Sequence, residues 1–164
     1  MYEHRQANPL RRGARILGGW APMAWVLART QQRLDAVVYR LTRGRATFVS
    51  WVTGIPILML TTTGAKSGRL HTLPLAAVPD GDRLLVIASN YGRDRNPSWY
   101  HNLRAHPRAT ICLEGVTREV LARELEGEER DRCYERGIEI YPGWKGYRKR
   151  ADRRIPVLEL TPVE

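Results

Sequence analysis

Apolar positions along the chain change period once, and that change divides it. From Pro22 to Thr42 they recur at helical spacing. Leu27, Leu34, Val37, Val38 and Leu41 share one face, while Arg29, Gln32, Arg33 and Arg40 lie elsewhere. Pro22 suits the first turn of such a helix and Gly44 its stop, with Arg40 and Arg43 placed well at the negative end of the dipole. Residues 1–21 read as a loosely held start, arginines followed by a short apolar run. Gly18, Gly19 and Pro22 interrupt that run, which falls short of the roughly 20 apolar residues of a membrane span.

From Pro56 onward the signal is β. Strands are expected at Pro56–Thr63, Leu70–Val78 and Arg83–Ser89, joined by a Lys66–Arg69 turn and an Asp80-Gly81 hairpin turn. Two more follow at Ala109–Leu113 and Thr117–Arg123, and a last one at Ile155–Leu160 pairs back and removes an edge. These short connections leave no room for helical crossovers, so the pairing is antiparallel. Two shorter helices are expected among the strands. One has Asn96 as its cap and Pro97 at its first position and runs to Ala105; the other spans Leu125–Gly137, with Tyr134 packing it on the sheet. The division is an N-terminal extension with an amphipathic helix over 1–44 and a mainly β domain with helices over 45–164.

Composition adds a bias. With 43% hydrophobic and 27% charged residues, the 164-residue chain is an ordinary globular one. Lys+Arg 27 against Asp+Glu 17 leaves +10, which points to an anionic partner. The cations are scattered and accompany no DNA or RNA motif, so nucleic acid is the weakest of the candidates, behind an acidic lipid face and an acidic small molecule. Trp20, Trp25 and Trp51 keep open a peripheral membrane contact, or a lid, formed by the N-terminal helix. Cys112 and Cys133 lack CxxC spacing and read as buried or half-buried thiols in a reducing cytoplasm. His4, His71, His101 and His106 lack metal-site spacing, so no metal is expected.

The candidate chemistry begins at the first turn. Gly64 and Gly68 permit close backbone approach, so that successive N–H groups can point into one concavity. Lys66 adds a point charge, Ser67 a hydroxyl and Arg69 a bidentate fork, a set suited to phosphate or carboxylate. It is not a P-loop, because GxxxxGK[ST] is absent.

LTTTGAKSGRLHTLPL, VIASNYGRDRNPSWYHNLRAHPRATI and the closing RRIPVLEL together resemble the deazaflavin-dependent nitroreductase family, over about residues 45 to 162. That resemblance implies a split β-barrel of the FMN-binding type that binds the 5-deazaflavin coenzyme F-420 and passes hydride to an electron-poor acceptor, such as a quinone or nitroaromatic. By it Lys66, Ser67, Gly68 and Arg69 hold the coenzyme's phosphate and acidic tail. Thr72, Pro74 and Leu75 lie along the coenzyme, and Ala88, Ser89 and Asn90 approach its ring system. Gly92, Pro97, Trp99, Tyr100 and Asn102 complete the pocket. Tyr141 and Tyr147 match tyrosines that line the substrate side and act as proton or hydrogen-bond donors. Trp144 stands where a third tyrosine can occur, which changes the pocket's shape and bears against nitroimidazole activation. FMN is the alternative cofactor, since similar barrels use flavins. A homodimer is a candidate assembly.

Overall fold

The computed structural model describes residues 4–17 and 53–163. The helix expected over 22–42, its tryptophans and the boundary at 44 lie outside them. Seven strands form one antiparallel sheet: β1 (Ile57–Thr63), β2 (Leu70–Ala76), β3 (Val78–Asp80), β4 (Arg83–Ile87), β5 (Arg108–Leu113), β6 (Val116–Glu124) and β7 (Val157–Pro162). Their order is β2-β1-β5-β6-β7-β4-β3. The C-terminal strand thus lies between β6 and β4, with Val86 opposite Leu158 and Ala122 opposite Leu160.

The run expected as one strand from Leu70 to Val78 is two. β2 pairs with β1 and β3 with β4, and only Ala77 separates them; its N–H donates to the Pro56 carbonyl at 2.9 Å. β2 and β3 stand at opposite ends of the sheet order, yet one residue joins them. A flat sheet cannot satisfy that link, so the sheet curls until its two edges meet the same stretch of chain, the half-closed form of a split barrel.

Two apolar clusters cover the two faces. One joins Leu58, Leu60, Val86, Val120, Leu158 and Leu160 to Trp99, Tyr100 and Leu103 of α2 (Ser98–Ala105). The other joins Leu85, Ile87 and Val157 to Cys133, Tyr134 and Ile140 of α3 (Gly127–Ile140) and to Trp144 and Tyr147 of α4 (Gly143–Arg150). Period-two alternation makes this possible, because neighbours on β4 point to opposite faces. Tyr134 is fully buried as expected, and its hydroxyl donates to the Trp144 carbonyl at 2.9 Å.

Three helical features differ from the sequence reading. The cap position of α2 is Pro97, without a side-chain cap bond, and Asn96 Oδ1 is buried with no partner among the described residues. The segment with Trp144 and Tyr147, expected to line the substrate side of the pocket, is the helix α4. The loosely held start contains α1 (Pro9–Leu17), whose cap Asn8 accepts the Arg11 N–H at 2.9 Å, with Pro9 in the first helical position. Arg15 locks α1 down, donating to the carbonyls of Thr53 at 2.8 Å and Ile140 at 3.0 Å. A guanidinium at the C-terminal carbonyl of α3 also complements that helix's dipole. Among the described residues, no helix is long and apolar enough to cross a membrane.

Candidate functional site

The Gly64–Arg69 turn links β1 to β2 as a closed hairpin. Gly64 N–H donates to the Arg69 carbonyl and Gly68 N–H to the Gly64 carbonyl, both at 2.8 Å. Arg69 N–H reaches Ser67 Oγ at 3.3 Å and Ala65 N–H reaches Asn102 Oδ1 at 3.0 Å. Four of the turn's amides, those of Gly64, Ala65, Gly68 and Arg69, are therefore engaged inside the protein. Its outward donors are side chains: Lys66, Ser67 and Arg69 are all exposed. A Cβ at Gly64 would lie 2.5 Å from Ser67 Oγ and 3.0 Å from His71 Nε2, so these two exposed side chains would have to turn aside.

Asn102 ties the turn to α2. Besides accepting from Ala65, it donates through Nδ2 to Thr62 Oγ1 at 3.0 Å, and its residue is only 8% exposed. Both ends of the amide thus contact protein. Beside this tie lies a cleft of about 500 Å³ lined by Gly64, Ala65, Lys66, Ser67, His71, Thr72, Leu73, Ser98, His101 and Asn102. Its described lining carries a lysine, two imidazoles and three seryl or threonyl hydroxyls beyond Asn102's amide, and no carboxylate. Such a donor set, over an apolar patch from Leu73, fits the acidic tail of a deazaflavin coenzyme. His71, Ser98 and His101 were not among the expected residues. The signal for two of them was available: Ser98, His101 and Asn102 fall at i, i+3 and i+4 on one face of α2, opposite the core residues Trp99 and Leu103.

Only part of the expected set comes together here. Lys66, Ser67, Thr72 and Asn102 line the cleft, and Gly68 and Arg69 finish its turn. Pro74 and Leu75 lie farther along β2, half-buried. Trp99 and Tyr100 are core residues, with the Tyr100 hydroxyl 3.0 Å from Glu124 Oε2 and accepting from Arg104 at 3.1 Å.

Ala88, Ser89, Asn90 and Gly92 form a separate loop after β4. Its backbone is left-handed at three consecutive residues, Asn90 (φ 46°), Tyr91 (φ 59°) and Gly92 (φ 79°). Asn90 Nδ2 donates to the Arg95 carbonyl at 2.9 Å. Gly92 fits tightly beneath α4: a Cβ there would lie 3.0 Å from both Cα and O of Tyr147. Arg153 holds the loop's carbonyls, a role the sequence did not reveal.

Tyr141 and Tyr147 belong to the cluster on the other face of the sheet, with hydroxyls 3.1 Å apart. Burial pushes Tyr141 up to about 12 and raises Tyr147 as well, so both phenols stay protonated at neutral pH. Trp144 is 4% exposed, its ring edge-on to Tyr141 at 5.4 Å between centroids.

The family model described as F-420H(2)-dependent quinone reductase matches residues 31–162. An F-420H(2)-dependent quinone reductase of Mycobacterium tuberculosis is 36% identical over 135 residues, covering 79% of this chain and 88% of that protein. A solved F-420-H2 dependent reductase superposes with a TM-score of 0.59 at 39% identity, over 64% of this chain and 93% of that one. Another solved structure, described as a domain-swapped dimer, gives 0.62 at 33% identity, over 85% and 99%. The match runs through the turn, the left-handed loop and the tyrosine-bearing helix alike, and the chain belongs to the F-420H(2)-dependent quinone reductase family.

Proposed function

We propose that this protein is an oxidoreductase that binds reduced coenzyme F-420 and passes hydride to a quinone-type acceptor. The observation that carries the reading is the cleft at the Gly64–Arg69 turn, cationic, free of carboxylates along its described lining, and pinned from beneath by Asn102. When bound, the coenzyme supplies the hydride; the protein's part is to bind, orient and exclude water. Lys66, Ser67 and Arg69 grip phosphate and carboxylate, with Thr72, Pro74 and Leu75 continuing along β2. Ala88, Ser89, Asn90 and Gly92 shape the ring-side wall, which Pro97, Trp99 and Tyr100 support from α2. Tyr141 and Tyr147 offer protonated hydroxyls on the acceptor side, beside Trp144.

Two further elements of the reading concern assembly. A relative at 33% identity is a domain-swapped dimer, which supports a homodimer here. On α1, Leu10 is 85% and Ile16 58% exposed, next to the exposed Arg11 and Arg12. Apolar tips among cations suit peripheral contact with the anionic cytoplasmic membrane face.

Side-by-side fluorescence titration with coenzyme F-420 and FMN tests the reading. Binding of the deazaflavin is expected, with Lys66→Ala or Arg69→Ala weakening it more than about tenfold, as loss of a charge-assisted contact of about 1.5–3 kcal/mol implies. Absence of binding at micromolar protein, or a preference for FMN, would sink it.

A further inference from the structure

Arg153 is deployed differently from the cations of the turn. It lies between α4 and β7, and its guanidinium reaches back to the loop after β4. Nε donates to the Arg93 carbonyl at 3.0 Å, and Nη2 to the carbonyls of Ala88 at 3.0 Å and Ser89 at 3.2 Å. Nη1 is buried and has no partner among the described residues, none of which places a carboxylate within ion-pair distance of Arg153. Asp94, an opposing charge that acts on it, accepts the Asp152 N–H at 3.0 Å. The half-buried guanidinium is partly desolvated, and backbone carbonyls, with Asp94 beyond ion-pair distance, offset that cost.

What those contacts hold is the strained part of the chain. Three left-handed residues in succession, two of them not glycine, persist only where the surroundings over-determine them. Peptide units are planar and, among the described residues, none is cis. With the Ser89 and Arg93 carbonyls turned toward the guanidinium, the N–H groups of Asn90 and Asp94 in the same peptide planes face the opposite way.

We propose that Arg153 is a positioning residue for coenzyme binding, its fork fixing the Ala88–Arg93 loop so that the Asn90 backbone amide is presented to the ring system. The inference rests on the coenzyme reading given above. It is tested on the full chain with Arg153→Lys, which keeps charge and stem but loses the fork, and Arg153→Gln, which loses the charge. Arg153→Lys decides the matter if Arg153→Gln does not fold. Amide hydrogen exchange at Asn90–Asp94 in the coenzyme-free protein should accelerate about tenfold or more, while exchange in β1 and β5 stays as in wild type. The dissociation constant for coenzyme F-420 should rise about tenfold, with kcat at saturating coenzyme within about twofold. Wild-type exchange and wild-type affinity in the variants would overturn the proposal. Weakened binding without faster exchange would also overturn it, because Arg153 would then touch the coenzyme directly. If wild type binds and the variants bind equally, the positioning role alone fails; if wild type does not bind, the coenzyme reading fails and takes the proposal with it.

Discussion

The Gly64–Arg69 turn and the Ala88–Arg93 loop both follow a strand of the same sheet, and they are ordered by opposite means. In the turn, charge is outside and a neutral group is inside: Lys66 and Arg69 stand in solvent while a buried amide, Asn102, fixes the backbone beneath them. In the loop, the charge is within. Arg153 gives up part of its hydration to hold three carbonyls of a left-handed backbone. A cation meant for a ligand must remain solvated until the ligand arrives, whereas one meant for the fold can be desolvated for good.

The comparison can be broken most readily at Asn102. Asn102→Leu should cost about 2–4 kcal/mol in urea denaturation, because Ala65 N–H and Thr62 Oγ1 both lose a buried partner, and coenzyme affinity should fall with it. Lost affinity at unchanged stability would mean that the amide serves the ligand, and the contrast with the loop would disappear. Gly92→Ala tests the loop, at about 1–3 kcal/mol, since the alanine must adopt φ 79° with Tyr147 backbone 3.0 Å away. A neutral result would show a loop free to move off α4.

A smaller effect is expected at high pH. Folding raises Tyr141 and Tyr134 to about 12 from an ordinary value near 10. The unfolded chain therefore loses these protons first, and the contribution is fully present below about pH 10 and lost as pH rises toward 12. Tyrosinate absorbance should lag until unfolding sets in; early titration of all the tyrosines would place Tyr141 in open solvent. Smallest of all, Lys66→Ala should leave stability within about 0.5 kcal/mol of wild type, separating binding from folding at the turn.

What could be read in advance divides along similar lines. The strands were legible because Leu58, Leu60 and Thr62 alternate with half-exposed neighbours, a pattern set by local geometry. The break at Ala77 was not, since exchanging one edge of the sheet for the other is a tertiary event with no local mark. GWKGYRKR holds two glycines and three successive cations, so only Trp144 and Tyr147, three apart, hinted at α4. α1 carried a readable Asn8-Pro9 start that the density of arginine obscured. At the site, residue types pointed to an anion-binding turn, and the structure leaves Lys66, Ser67 and Arg69 exposed there. That Asn102 contacts protein at both amide ends, or that Arg153 reaches the loop, depends on which segments the curl of the sheet brings together.

The arginine-to-carbonyl ties have a consequence under acid. A peptide carbonyl does not titrate, and neither does a guanidinium in any ordinary range. The links of Arg15 to Ile140, Arg130 to Ile155 and Arg153 to the loop are blind to pH. The hem along α3 is not. Arg123, then Arg83, hold Glu129 below its usual carboxylate range, and that contribution is present above the range and lost as pH falls through the lowered value. Acidification would unfasten α3 at its carboxylate edge while the N-terminal helix and the left-handed loop stayed clasped by bonds that no proton can open.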